Sequence, residues 1–145
     1  MVRLDSLFAE SHRVRGEGLT PAISRVAQCL DIKAEAAVIA RYDAARLKYS
    51  TALRKLPAQA DPSAEQLLRL SVTAVTESYL ADHVYAQWAA HLLQHGCRPA
   101  SRALVDATAA KYNTAATAAK NQLVALWAQV AHRLGYQHLL IRDDI

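Results

Sequence analysis

The chain has 145 residues, a net charge of +4 at pH 7 and a pI near 9.3. This length fits one ordinary domain, or a small domain with a helical extension, and excludes a two-domain enzyme. Apolar residues form 52% of the chain but only 6% is aromatic, and four glycines and four prolines are too few for the turns of a β-sandwich or barrel. The composition therefore predicts an all-α fold with a core of alanine and aliphatic side chains.

Targeting signals and cysteine spacing bear on the compartment. No apolar run approaches the ~20 residues of a membrane span, and residues 1–5 lack the apolar stretch of a secretory signal. Cys29 and Cys97 fit no metal-ligand or redox spacing. We expect a cytoplasmic protein with no membrane contact, whose two cysteines are reduced, half-buried thiols without a disulfide.

The first third of the chain is predicted to hold three helical segments. Apolar spacing predicts a short helix over residues 5–15, and the glycine-containing stretch at 16–18 ends this helix. Thr20 and Pro21 stand in the order of a cap and a first-turn proline, so they predict the start of the next helix. A third helix is predicted from Lys33 or Ala34 to Leu56, ending before a proline. The predicted buried face of the second helix is Ile23, Val26, Ala27 and Leu30.

The junction of the second and third segments has the pattern of a helix-turn-helix. Ala27, Leu30 and Ile32 supply the small residue and the two aliphatic residues that such a motif needs where its helices cross. Asp31 occupies the turn, and aspartate can adopt a left-handed conformation, although less readily than glycine. The alternative is one bent helix that continues through Asp31.

The remaining chain is predicted to form two long helices. The first extends over residues 63–95, with Asp61, Pro62 and Ser63 as its start signal and Gly96 as its stop; the second follows a proline at 99, with Ser101 as its cap, and reaches residue 135. Together they predict an antiparallel helical hairpin about 50 Å long. The predicted organisation is a helix-turn-helix-like DNA-binding segment over residues 1–45 and a long-helix bundle over residues 46–145.

The second long helix also predicts self-association. Its apolar stripe over residues 105–134 keeps a near-heptad rhythm and is more apolar than one partner helix would cover. We therefore expect a homodimer.

Charge is unevenly distributed along the sequence. Residues 1–60 contain ten basic and six acidic side chains, residues 61–96 one and four, and residues 97–145 six and three. The basic N-terminal third is the natural place for a polyanion. The alternative is that the acidic helix simply packs between two basic segments.

A run of residues between positions 4 and 45 has a recognisable order: Leu7, Phe8, Ala9, Val14, Gly18, Pro21, Val26, Leu30, Val38 and Tyr42. This run resembles the N-terminal region of plasmid KfrA-type DNA-binding proteins, in which a helix, a glycine and a proline precede an aliphatic-rich helix and a second helix. The chain differs from the family over residues 31–34. The resemblance implies duplex DNA binding, transcriptional autoregulation and a role in plasmid maintenance.

With this interpretation, the helix from Lys33 lies in the major groove. Lys33, Glu35 and Ala36 would face base edges, while the other candidate residues would contact the phosphate backbone. For any single charge, a solvated surface residue is the alternative. The predicted DNA-binding residues are Arg13, Arg15, Thr20, Arg25, Lys33 and Arg41.

Two polar features of the first long helix do not predict a catalytic or metal site. His83, His91 and His95 lie on its polar side, but only the last two could chelate one ion together, and two ligands are not enough. Asp82 lies in the apolar stripe, which predicts an ion pair with a basic residue of a neighbouring helix or of a second subunit. Arg41, Lys48 and Lys55 recur every seven residues as a basic ribbon.

No nucleophile motif or phosphate-binding loop is present, so we expect neither an enzyme nor a cofactor. The preferred function is a DNA-binding autoregulator or plasmid-maintenance factor. The alternative is a non-catalytic helical subunit or adaptor of a larger assembly, whose basic segments touch RNA or a protein partner.

Overall fold

A computed structural model describes residues 18–98 and 101–135, and within these ranges it is all-helical. Its helices are α1 (Leu19–Ala27), α2 (Ile32–Arg54), α3 (Pro62–His95) and α4 (Arg102–Val130). The all-α class predicted from composition is confirmed. The helix predicted over residues 5–15 lies outside the described residues. Helix α2 continues without a break through positions 45 and 46, the predicted boundary between the DNA-binding segment and the long-helix bundle.

Both ends of α3 follow the predicted signals. Asp61 precedes the helix, and its Oδ1 accepts hydrogen bonds from the backbone N–H groups of Ser63 (2.8 Å) and Ala64 (3.0 Å). The pKa of Asp61 lies below its ordinary value, because these hydrogen bonds, above all the one from Ala64, and the nearby Arg133 stabilise the carboxylate. Desolvation acts in the opposite direction. Gly96 ends the helix with a positive φ of 88°.

The predicted starts of α1 and α4 are wrong in detail. Gly18, not Thr20, precedes α1, and Ser101 precedes α4 without a side-chain cap. The Ser101 hydroxyl instead accepts a hydrogen bond from the Trp88 Nε1 (2.7 Å) and donates one to the Arg98 carbonyl (2.8 Å). A tertiary contact has therefore taken the side chain that local sequence assigns to a cap.

The three long helices pack side by side, and α1 lies across α2 and α3. At one end, Tyr85 of α3 donates a hydrogen bond to Asp106 of α4 (2.8 Å); at the other, Arg133 after α4 donates one to Ser63 of α3 (2.8 Å). The apolar stripe of α4 is largely buried within this single chain. It therefore no longer supports a dimer, which stays a prediction.

The buried apolar residues form two cores. We call them the Trp127 core, where the end of α2, the start of α3 and the end of α4 meet, and the Ile39 core, where α1, the start of α2 and the end of α3 meet. The Trp127 core contains Tyr49, Leu53, Leu67, Leu68, Ala74, Val75, Ala119, Leu123, Trp127, Val130 and Ala131. The Ile39 core contains Ala22, Ile23, Val26, Ala36, Ile39, Trp88, Ala89 and Leu92.

Polar contacts join α2 to α3 along the stretch between the two cores. The Arg46 Nε lies 3.4 Å from the Asp82 Oδ2, and both side chains are largely buried. The ion pair predicted for Asp82 with a neighbouring helix is confirmed. The apolar stripe predicted for α3 from its sequence also includes Ala90 and Leu93, but both are exposed; the buried residues near this end of the helix are Trp88, Ala89 and Leu92.

Candidate nucleic-acid interface

Four of the six predicted DNA-binding residues lie in the described part of the chain, and all four are exposed. Thr20 and Arg25 are on α1, and Lys33 and Arg41 are on α2. The other two, Arg13 and Arg15, lie outside the described residues. The described candidates therefore come from two consecutive helices.

The chain turns between α1 and α2, so the alternative of a helix continuing through Asp31 is wrong. The N–H of Leu30 donates to the Arg25 carbonyl (2.9 Å), and the N–H of Cys29 donates to the Val26 carbonyl (3.0 Å). This is the hydrogen-bond pair of a Schellman motif. Cys29 occupies the left-handed position at φ 60°, where glycine is usual, and Asp31 is also left-handed at φ 43°. Asp31 thus adopts the left-handed conformation that is open to aspartate at a turn, although glycine adopts it more readily.

Two residues of the predicted helix-turn-helix pattern are placed differently. Leu30, expected on the buried face, is 49% exposed, because the left-handed turn carries it away from α1. Ala36, expected to face base edges, is only 8% exposed and belongs to the Ile39 core. The start of α2 thus points Ala36 inward, and of the three predicted base-reading residues Lys33 alone is exposed.

The exposed face of α2 carries positive charge along its length. Lys33, Arg41, Lys48 and Arg54 are the exposed charged residues of this helix, and Lys55 directly follows it. At 100° per residue, Lys33, Arg41 and Lys48 fall within about 80° of one another around the helix axis. Most other exposed residues here are alanines: Ala34, Ala37, Ala40 and Ala44.

Glu35 of α2 is held in an ion pair, and Asp43 of α2 is held in a hydrogen bond with a histidine of α3. Glu35 lies 2.6 Å from the Arg25 Nε of α1, and Asp43 lies 3.1 Å from the His83 Nδ1 of α3. The two acidic side chains are 16% and 17% exposed. Consequently the outward field of α2 is set by its lysines and arginines.

These contacts also change the role of Arg25. Its side chain is 52% exposed, but it neutralises Glu35 next to Lys33. It therefore contributes to the basic face indirectly, by pairing with the acidic residue at the start of α2. Lys48 is predicted as part of a basic ribbon that faces solvent or lies against nucleic acid or an acidic helix, and it lies on this exposed face together with Arg41. Its seven-residue spacing from Arg41 is the signal that identifies it.

A disulfide joins Cys29 to Cys97, so the prediction of two reduced thiols is wrong. The residues are 68 positions apart in sequence, yet their Cα atoms are 5.7 Å apart. Packing of α1 against the end of α3 brings the α1–α2 turn next to the α3–α4 connection. No local spacing reports such a contact, and both cysteines are half-buried as predicted.

The described residues contain no group of three or more side chains suited to hold a metal ion. The rings of His91 and His95 lie with their centroids 4.5 Å apart on the exposed end of α3. Among the helices that the structure describes, none has the length and apolar character needed to cross a membrane.

Comparisons with models of protein families, with curated proteins and with solved structures give no significant match to this chain.

Proposed function

We propose that the protein binds double-stranded DNA through the exposed face of α2. The observation that carries the proposal is the one-sided charge of this helix: its exposed charged residues are all basic, while Glu35 and Asp43 are paired with Arg25 and His83. Phosphate groups are the complementary partner of such a face. Binding would need neither a metal nor a cofactor.

The contacts would be mostly electrostatic. Lys33, Arg41 and Lys48 are spaced along roughly 22 Å of helix axis, so they can reach successive phosphates. The alanines between them are short enough to let the helix axis come close to the duplex. Because Ala36 is buried, Lys33 is the only predicted base-reading residue with access to base edges, and we expect weak sequence preference.

The proposal keeps the biological role implied by the resemblance of residues 4–45. A helix-turn-helix-like segment that binds DNA in the cytoplasm would act as a transcriptional autoregulator or in plasmid maintenance. A second copy would raise specificity by adding a second half-site. Arg13 and Arg15 would add phosphate contacts before α1.

The test is a matched pair of variants. Arg41→Gln/Lys48→Gln removes two charges from the α2 face, and Arg69→Gln/Lys111→Gln removes two exposed charges from α3 and α4. The control is closely matched, because Arg41 and Lys111 each lie over the ring of the next tyrosine.

Fluorescence anisotropy with a labelled 20-base-pair duplex should show affinity falling about tenfold or more in the α2 variant and little in the control. Affinity of the parent should also fall steeply between 50 and 200 mM salt. Equal affinity of both variants, or no binding by the parent, would reject the proposal.

A second candidate function is an adaptor or subunit that contacts another protein, and the outer face of α4 favours it. Among the charged residues of this helix, Lys120 is buried, Arg102 and Asp106 pair with each other and Lys111 is exposed, whereas Leu104 is 74% exposed and its neighbours are mainly alanine and small polar residues. A low-charge surface of this kind suits a protein contact. Two results together would favour this function: the parent protein does not bind duplex DNA, and a partner that co-purifies with the parent is lost in the Leu104→Asp variant.

A further inference from the structure

We propose that the Cys29–Cys97 disulfide is a reversible redox clamp that controls the DNA-binding face of α2. The inference rests on the proposed function for its binding consequence, but its structural part can be tested without DNA. The disulfide joins the α1–α2 turn, four residues before Lys33, to the connection between α3 and α4. It is therefore placed where the candidate interface begins.

The turn that the disulfide fixes is built from residues that do not favour it. Cys29 and Asp31 are both left-handed, and neither is glycine. Such residues adopt this conformation at a cost that the surrounding structure must offset. The bond from Cys29 to Cys97 is the covalent constraint at this turn, so its loss should loosen residues 28–31 before the rest of the molecule.

Apart from the disulfide, helix α1 is held by apolar packing, by the Arg25–Glu35 pair and by one further polar contact. It contributes Ala22, Ile23 and Val26 to the Ile39 core, and Leu19 and Ala27 pack against that core. One polar contact reaches α4, where Arg102 Nη1 lies 3.5 Å from Ser24 Oγ. A nine-residue helix held this way can shift when the turn loosens, while α2, packed along α3, stays in place.

The consequence for charge follows from the Arg25–Glu35 pair. This pair spans the turn, since Arg25 is on α1 and Glu35 is on α2. When α1 shifts, Arg25 leaves Glu35, and the first turn of α2 then carries an unpaired carboxylate two residues from Lys33 in sequence. Its charge would weaken the positive potential at the start of α2, so the oxidised form should bind DNA more tightly than the reduced form.

The exchange chemistry requires a dithiol reductant. One of its thiolates attacks a sulfur of the disulfide and forms a mixed disulfide, which releases the other cysteine as a thiolate that takes up a proton. The second thiol of the reductant then displaces the remaining cysteine. The dithiol gives up two electrons and two protons and becomes a cyclic disulfide, while Cys29 and Cys97 become thiols.

Partial exposure supports reversibility, and the proposed function places the bond inside the cell. Both cysteines are half-buried, and the adjoining Leu30 is 49% exposed, so the bond lies close to solvent. Disulfides in the cytosol are usually transient and redox-sensing, whereas those of oxidising compartments are permanent. A protein that binds DNA inside the cell would therefore carry this bond reversibly.

The structural test is hydrogen exchange on the oxidised protein, on the protein reduced with dithiothreitol, and on the Cys29→Ser/Cys97→Ser variant. Amides of residues 28–35 should exchange about tenfold faster or more in the last two, with the Trp127 core unchanged. Resistance to dithiothreitol in the native state, unchanged protection of the turn, or unfolding of the whole chain on reduction would overturn the clamp.

The binding test uses the same duplex and adds Glu35→Gln. Reduction should weaken binding by the parent about two- to fivefold, and the glutamine variant should lose most of that difference because it has no carboxylate to expose. Equal binding of the oxidised and reduced parent overturns the control of DNA binding. If neither form binds DNA but the turn still loosens, the proposed function fails and the clamp stands.

Discussion

The two ends of the bundle are stabilised in different ways. At the Trp127 core, five side chains of valine size or larger are almost completely buried: Leu53, Leu67, Val75, Leu123 and Trp127. At the Ile39 core, Ile39 and Val26 are the large residues buried to the same degree, and a disulfide lies beside them. The comparison teaches that apolar burial is sufficient at one end, whereas the other end combines a smaller core with a covalent link.

The largest expected effect is at Trp127. Trp127→Ala should lower the free energy of unfolding by about 3–5 kcal/mol, because it removes a fully buried indole and leaves a cavity. Trp88→Ala is the matched change at the Ile39 core and should cost less, since Trp88 is 7% exposed and its site is less completely enclosed.

Urea denaturation with the disulfide intact measures both tryptophan variants. Leu104→Ala, at an exposed site, is the control and should stay within about 0.5 kcal/mol of the parent. A larger loss of unfolding free energy in Trp88→Ala than in Trp127→Ala would contradict this comparison of the two ends.

The next effect concerns the ion pair between the cores. Asp82→Leu should cost about 2–3 kcal/mol, since it leaves Arg46 in a site where its side chain is only 6% exposed. The double variant Arg46→Leu/Asp82→Leu should recover most of that loss, because leucines can join the two cores into one. Urea denaturation of the three proteins tests this, and a double variant as unstable as the single one would contradict it.

A smaller effect is expected where α1 begins. A Cβ atom on Gly18 would lie 2.6 Å from the Tyr42 Oη and 2.9 Å from a ring carbon, so Gly18→Ala must displace the Tyr42 ring. We expect a loss of about 1–2 kcal/mol in thermal unfolding. Gly18→Ala/Tyr42→Leu should restore part of it. No change in the single variant would show that the ring moves freely.

The smallest effect is a pH dependence at the start of α3. The pKa of Asp61 is lowered in the folded protein, so its stabilising contribution is present above the ordinary value of 3.8 and is lost as pH falls through the folded pKa. Asp61→Ala should lower the melting temperature at pH 7 but converge with the parent in acid. Asp61→Asn keeps a cap acceptor but does not titrate. At pH 7 its melting temperature should therefore lie between that of Asp61→Ala and that of the parent.

A change of stability at alkaline pH is expected near the other end of α3. Burial, followed by the hydrogen bond to Asp106, raises the pKa of Tyr85 to about 12. Folding therefore favours the neutral phenol, and its contribution is complete below the ordinary value of 10 and lost as pH rises toward 12. Tyr85→Phe should flatten the alkaline part of a stability profile measured by chemical denaturation.

Much of the architecture could be predicted because its signals are local. Asp61, Pro62 and Gly96 mark the ends of α3 by backbone chemistry that acts within one helical turn. The ion pair of Asp82 could also be predicted, since a carboxylate in an apolar stripe needs a partner, although its identity as Arg46 could not. The periodicity of the alanine-rich stretches predicts helices, but it does not predict which side of each helix faces the core.

The candidate site was predictable only in part. Its basic residues Lys33, Arg41 and Lys48 are visible as charges at helical spacing. Glu35 looked like a base-reading residue, but its position against Arg25 depends on the angle at which α1 meets α2. Ala36 was misassigned for the same reason, because its side chain faces the core that this angle creates.

By itself, the sequence determined the helical class, both ends of α3 and the excess of positive charge on α2, since these depend on composition and on residues a few positions apart. The tertiary structure decided which residues partner the carboxylates, which alanines are buried and that Cys29 meets Cys97 across 68 residues. Contacts of this kind arise when separate helices pack together, and their geometry depends on the whole core rather than on any local pattern.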